Sequence, residues 1–300
     1  MSLPKVFAGA RRQVGANRSP GTGDNSQPSE RELIRTLIRT TDNKDLEKVL
    51  RAYRKGELDS PRFRAAMVLY RRATYLEDLL GTKANAEFLE DPRFQEAYQA
   101  AVSVSTWGRD IRWRVYNLIR FAGASLRLEG DFVECGVDRG GMSLALLTYH
   151  HEKLPFRPFW LFDTFQGLVR EQMTEAEQEK SPFLQESRKD RYPPIYEEVC
   201  RTFAGYDNVN IVPGTVPETL GQFFGQKVAF LHIDMNVAYP EVKALEFFWP
   251  LLVPGGVVLL DDYGFPLHTE QKQAMDACAA RLGTEIILMP TGQGLILNSL

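Results

Sequence analysis

The sequence predicts an α/β fold: a mainly parallel seven-stranded sheet with helices on both faces, preceded by a helical N-terminal region. Three observations carry this. Short apolar runs recur after residue 130, most with helical patterns between them. Several of these runs end on an acid or a glycine turn, as strand ends at a ligand-binding rim do. The 300 residues are 44% hydrophobic and 25% charged, ordinary composition for a packed globular chain.

Residues 1–30 hold few apolar residues and much Gly, Ser, Pro and Asn, and read as a flexible tail. Residues 31–128 carry a helical period. Leu46, Val49, Leu50 and Tyr53 fall at i, i+3, i+4 and i+7. Ser60-Pro61 and Asp91-Pro92 read as helix starts, each a capping side chain followed by Pro at the first helical position. Residues 31–75 carry 12 Lys/Arg against 6 Asp/Glu. That excess is either the solvated side of amphipathic helices or a basic face for an anionic partner.

From residue 129 onward the pattern is that of the sheet. Phe132–Val137 is a first strand running into glycines, and Met142–Tyr149 a helix after it. Phe159–Phe162, Val209–Val212, Val228–Ile233 and Val257–Leu260 are the next four strands. Glu285–Met289 and Gly294–Leu297 close the set, as a pair able to form an antiparallel edge. Apolar runs of this length, separated by helices, fit a parallel sheet covered on both faces. Residues 164–201 interrupt the alternation with six Lys/Arg, eight Asp/Glu and three prolines. This insert is either a lid over a site or a surface excursion.

Composition also excludes some functions. A net charge of −3 gives no global field for nucleic acid or acidic lipid. No apolar stretch reaches the roughly 20 residues of a membrane span, and no secretory signal is expected. Cys135, Cys200 and Cys278 fit neither a disulfide framework nor a zinc site, so a cytoplasmic setting is expected.

The chemistry is expected beyond the carboxyl ends of the strands, which carry Glu134, Asp163, Asp234, Asp261 and Asp262. Acids at one rim repel unless something cationic sits between them. The turn after the first strand runs Gly136-x-x-x-Gly140-Gly141. It is neither the dinucleotide pattern nor a P-loop, which disfavours a nicotinamide oxidoreductase. It suits close backbone approach to a ligand, or a tight turn alone. Asp163 is placed to accept from both hydroxyls of a ribose, or to cap the next segment. Asp234, Asp261 and Asp262 form the sharpest set: hard oxygen ligands suited to Mg²⁺ or a similar cation, or a loop-capping cluster.

These residues carry a resemblance. Gly130-Asp-Phe-Val-Glu-Cys-Gly-Val-Asp-Arg-Gly-Gly141, Phe162-Asp-Thr-Phe-Gln-Gly-Leu168, Val216-Pro-Glu-Thr-Leu220, His232-Ile-Asp-Met-Asn236 and Val253-Pro-Gly-Gly-Val-Val-Leu-Leu-Asp-Asp-Tyr-Gly264 occur in order. Over roughly residues 100–298 the chain resembles the class I S-adenosylmethionine-dependent methyltransferases, with their Rossmann-like fold. More narrowly, it is similar to the macrocin O-methyltransferase (TylF/MycF-like) family of sugar O-methyltransferases. The resemblance implies that residues 129–300 form the S-adenosylmethionine-binding catalytic domain. Glu134, Gly136, Gly140, Gly141 and Ser143 would surround the methionine part of the cofactor. Asp163 would hold the ribose, with Thr164 and Phe165 beside it, and Gly214 and Thr215 would lie near the adenine. Asp234, Asp261 and Asp262 would bind the metal, and residues 103–107 would close over the cofactor. A homo-oligomer and a small-molecule or glycan acceptor are implied as well. The family pattern His-Ile-Asp-x-Asp-Leu-Tyr reads Asn236, Val237 and Ala238 at its last three positions here.

The reaction so implied is transfer of a methyl group to a sugar hydroxyl on a small molecule or polysaccharide. Asp234 is the first candidate base; His232, read chiefly as a packed, hydrogen-bonded core residue, is a weaker one, as is His268. Two other readings stand beside it. One keeps the cofactor but moves the acceptor to a catechol or phenol. The other is a non-catalytic binding protein on the same fold.

Overall fold

The computed structural model describes residues 73–299, apart from residue 79 and residues 181–194. The tail, the helices expected before residue 73, the Ser60-Pro61 start and the middle of the insert lie outside the described residues. Residues 65–300 form one compact unit.

A short antiparallel hairpin opens the described chain: β1 (Tyr75–Glu77) and β2 (Leu80–Thr82). It falls where a helical period was expected. Its three-residue strands are too short to display an alternation of their own. Two helices follow, α1 (Pro92–Val104) and α2 (Arg112–Ser125). The Asp91-Pro92 start forms as expected: the Asp91 side chain accepts from Arg93 N at 2.9 Å, and Pro stands in the first turn. Asp110 accepts from Arg112 N at 2.9 Å at the start of α2.

The sheet holds seven strands: β3 (Asp131–Cys135), β4 (Phe159–Asp163), β5 (Val209–Pro213), β6 (Val228–Ile233), β7 (Leu252–Leu260), β8 (Ile287–Leu288) and β9 (Gly294–Leu297). Their order across the sheet is β5-β4-β3-β6-β7-β9-β8. The ladders from β5 to β7 are all parallel, as expected. The antiparallel part differs in detail. The reversed strand is β9, inserted between β7 and the edge strand β8. Strand order reverses at β3, which has β4 on one side and β6 on the other.

Alternation along each strand divides the core in two. Phe132, Phe159, Leu161, Phe230 and Leu259 join one cluster with residues of α1, α2 and α3 (Gly141–Tyr149). Val133, Cys135, Phe162, Ile233 and Leu260 join the other, against α6 (Ala238–Phe248) and α7 (Thr269–Arg281). Burial on both faces is why these strands read as continuous apolar runs. The insert contributes α4 (Glu175–Lys180) and α5 (Tyr196–Phe203), and Val199 and Phe203 of α5 are buried in the first cluster.

Candidate active site at the carboxyl rim

In an open parallel sheet the ligand crevice lies where strand order reverses, beyond the carboxyl ends. Here that point is the end of β3. Gly136 takes φ +90°, and a side chain there would run into the backbone of Asp234. The two loops lie against each other because Asp234 N donates to Cys135 O at 2.8 Å. Gly136 is therefore required by the approach of two strand ends.

The cofactor-side residues of the sequence reading divide into three groups. Gly140, at φ +84°, begins α3 with its space taken by the Phe203 ring. A side chain at Gly141 would meet Ser105 and come within 2.9 Å of Trp107. The 103–107 segment therefore packs directly on the start of α3. That helix start presents first-turn N–H groups, which attract a carboxylate.

Asp163 organises the neighbouring turn. Its Oδ2 accepts from Val137 N at 2.6 Å and Asp138 N at 2.9 Å, and its Oδ1 from Phe165 N at 2.6 Å. Thr164 Oγ1 donates to Gly167 O at 2.7 Å, and the Phe165 ring is buried in the core. Gly214 N donates to Asp163 O at 2.8 Å, which brings the β5 end beside it. Thr215 O accepts from the backbone and side chain of Thr219, each at 2.9 Å.

Glu134 and Ser143 face each other. Ser143 Oγ donates to Glu134 Oε2, and His232 Nδ1 lies 2.8 Å from Oε1. All three are buried. Strand register pairs Glu134 with His232, so both project from the same face of the sheet. Among the described residues His232 Nε2 has no hydrogen-bond partner, and it lies 4.0 Å from Asp261 Oδ1.

On the other side of the reversal, Asp234, Asp261 and Asp262 each offer an oxygen within 4.8 Å of the others. Burial, then the charge of Asp262, pushes the Asp234 carboxyl up to about 7. Burial acts in the same direction on Asp262, but Arg114 and His268 outweigh it and hold that carboxyl below its ordinary value. His268 Nε2 stands 3.9 Å from Asp262 Oδ2. The loop after Asp234 is fixed from below: buried Glu241 accepts from Met235 N and Asn236 N, both at 3.0 Å, and from Gln271 Nε2 at 2.6 Å. Asn236 sits at φ +61°, a conformation that Asn and Asp tolerate best among residues with a side chain. The insert reaches this loop as well, because Glu177 accepts from Ala238 N at 2.8 Å.

Sequence reasoning missed the cation between these acids. Arg114, on α2, is 4% exposed. Its Nη2 contacts Asp261 Oδ2 and lies 3.0 Å from Asp262 Oδ1, while its Nε lies 3.2 Å from Asp261 Oδ1. The available signal was an Arg on the apolar stripe Ile111, Val115, Leu118, Ile119, Ala122. Gln293 of the loop before β9, also missed, donates to Asp261 Oδ1 at 3.0 Å.

The donor set suits the groups that the resemblance implies. The three carboxylates are hard oxygen ligands for a divalent cation. Asp163 and the start of α3 flank the reversal, as an adenosyl and amino-acid ligand requires.

The family model for macrocin O-methyltransferase (TylF) matches residues 105–281. The chain belongs to this family. It is 31% identical over 156 residues to the 8-demethyl-8-(2,3-dimethoxy-alpha-L-rhamnosyl)-tetracenomycin-C 4'-O-methyltransferase of Streptomyces olivaceus, over 50% of this chain and 55% of that protein. The match thus spans about half of that relative. The mycinamicin III 3''-O-methyltransferase of Micromonospora griseorubida is 27% identical over 67% of this chain and 80% of its own length. Among solved structures, the O-methyltransferase NovP is 26% identical, with a TM-score of 0.54 over 62% of this chain and 80% of that one. The calicheamicin methyltransferase CalS11 shares the fold at 17% identity and a TM-score of 0.50, over 93% of this chain and 99% of that one. The fold is that of the class I methyltransferases. Among the described residues, no helix is long and apolar enough to cross a membrane.

Proposed function

We propose that this TylF-family chain is an S-adenosylmethionine-dependent O-methyltransferase that methylates a sugar hydroxyl on a small molecule, assisted by a divalent cation. One observation carries the reading. At the β3 reversal, the glycine turn and Asp163 stand on one side and three carboxylates within 4.8 Å on the other. That arrangement would set a methyl donor beside a site suited to activate a hydroxyl. The sugar acceptors named for the relatives support the choice of substrate class.

S-adenosylmethionine supplies the sulfonium methyl, and the cation polarises the acceptor hydroxyl. The chain supplies position and a proton acceptor. The start of α3 and the Asp163 turn orient the donor, with the 103–107 segment packed against that helix start. Asp234, at the carboxyl end of β6, is the first candidate to accept the hydroxyl proton. The chain's part is to align the hydroxyl oxygen with the sulfonium methyl, so that transfer would break the sulfur–carbon bond and leave S-adenosylhomocysteine. Alignment of the two reactants supplies much of the rate. His232 is committed to Glu134 in the core, and Asp234 is the better placed base.

The test is calorimetric titration with S-adenosylhomocysteine, followed by methyl transfer to glycosylated acceptors with and without chelator. Saturable one-site binding at about micromolar affinity is expected, with turnover abolished by chelator. No binding by folded protein overturns the methyltransferase reading. Undiminished turnover in chelator overturns the role of the cation, and activity confined to phenols or catechols overturns the sugar acceptor.

A further inference from the structure

Consecutive residues at a strand end project to opposite faces of a sheet. Asp261 and Asp262 follow directly on β7, yet both bring an oxygen to the same small volume as Asp234. The group that touches both is the Arg114 guanidinium. It takes Asp261 on both oxygens in a side-on fork and reaches Asp262 Oδ1 through the shared Nη2. Such forks fix direction as well as charge.

The guanidinium is itself held from behind. Arg114 Nη1 lies 3.6 Å from Asp78 Oδ2, and the Asp78 side chain is covered at the turn of the β1–β2 hairpin. Arg109 Nε stands 3.1 Å from the other oxygen of Asp78. The Phe265 ring lies 4.8 Å from Arg114 Cζ. The guanidinium is thus engaged by Asp78 and Phe265 as well as by the two carboxylates. Its charge also fits the arrival of a cation. Asp78 is matched by Arg109, and three carboxylates against Arg114 leave two negative charges, which one divalent cation neutralises.

We propose that Arg114 is a positioning residue of the metal centre: it holds Asp261 and Asp262 in ligand geometry and stays in place while the cation binds. This rests on the reading of the three carboxylates as a metal site. Arg114 acts through the carboxylates and touches neither reactant. A lysine keeps the charge but loses the fork.

The test is Mn²⁺ binding to the full chain, followed by the paramagnetic resonance signal of free Mn²⁺, with S-adenosylhomocysteine affinity measured in parallel. Arg114→Lys is expected to weaken Mn²⁺ binding by about 10-fold or more, the scale of lost support behind a ligand, with S-adenosylhomocysteine affinity within about 2-fold of wild type. Equal or tighter Mn²⁺ binding by this variant overturns the proposal and makes Arg114 a competitor for the carboxylates. If Arg114→Lys fails to fold, Asp78→Asn loosens the guanidinium without removing it. A weakening of about 3-fold is then expected, and unchanged affinity overturns the proposal. Wild-type protein that binds S-adenosylhomocysteine but no Mn²⁺ removes the metal reading and this role with it. Wild-type binding of Mn²⁺ that the variants leave unaltered removes the role of Arg114 alone.

Discussion

The two halves of the carboxyl rim handle negative charge in different ways. On the cofactor side, Asp163 is satisfied by three backbone N–H groups of the turns beside it. On the other side, Asp261 and Asp262 are met by side chains from distant parts of the chain, Arg114 and, for Asp261, Gln293. Asp234 has only the side-chain amide of Asn236, at 3.4 Å, among the hydrogen bonds of the described residues. Backbone donors build a fixed turn whose carboxylate is part of the loop. Side-chain donors leave three carboxylates against one guanidinium, the set proposed to take a cation. The difference teaches that a strand-end acid is read by its donors, not by its position alone.

The largest expected effect tests the second half. Asp261→Asn puts an amide where the guanidinium fork and a cation both need a carboxylate oxygen. Turnover (kcat/KM) is expected to fall by about 1000-fold while S-adenosylhomocysteine binding persists. A loss of binding instead would erase the proposed division of labour between the two halves. Next comes the first half. Asp163→Ala leaves Val137, Asp138 and Phe165 N–H groups without their acceptor, and S-adenosylhomocysteine affinity is expected to drop by about 100-fold, with Mn²⁺ affinity changed little. Calorimetry on the two ligands reads both.

The smallest effect is a pH dependence confined to the second half. With its carboxyl raised to about 7 by burial and Asp262, Asp234 is protonated below that pH in the metal-free protein. A cation must displace this proton, so Mg²⁺ affinity is expected to rise about 5-fold from pH 6 to pH 7 and about 10-fold in all by pH 8, where it levels off. The stability sign is opposite. A raised carboxyl pKa favours the folded state at low pH, and the metal-free protein loses that contribution as pH rises through about 7. Parallel titrations with S-adenosylhomocysteine, expected to be flat over this range, sharpen the contrast.

Much of this was legible in the sequence, for physical reasons. Strands buried on both faces must be apolar throughout, so β3, β4, β6 and the second half of β7 announced themselves, and their ends fixed where Asp163, Asp234, Asp261 and Asp262 would stand. The β1–β2 hairpin was not legible, because three-residue strands show no period and Asp78 at its turn looks like any loop acid. Arg114 was hidden differently. Its carboxylate partners at β7 lie 147 and 148 residues away, and its one local signal, a place on the apolar stripe of α2, does not name them. The need for a cation was legible; its address was not. Glu134, expected beside the cofactor, is engaged by Ser143 and by the residue across the ladder, His232, partners that the sequence did not name.

The contact between Arg114 and Asp261 also bears on how the site comes into being. It joins a helix made before β3 to a strand end made after β6, so it encloses five parallel strands in one loop of chain. Closing so long a loop is entropically slow, and contacts of this kind form late in folding. On a ribosome, the glycine turn and Asp163 emerge and can settle while Arg114 still waits for its acids. The half of the rim that would orient the donor is thus a local product of the chain, and the half that would activate the acceptor is the last thing the fold completes.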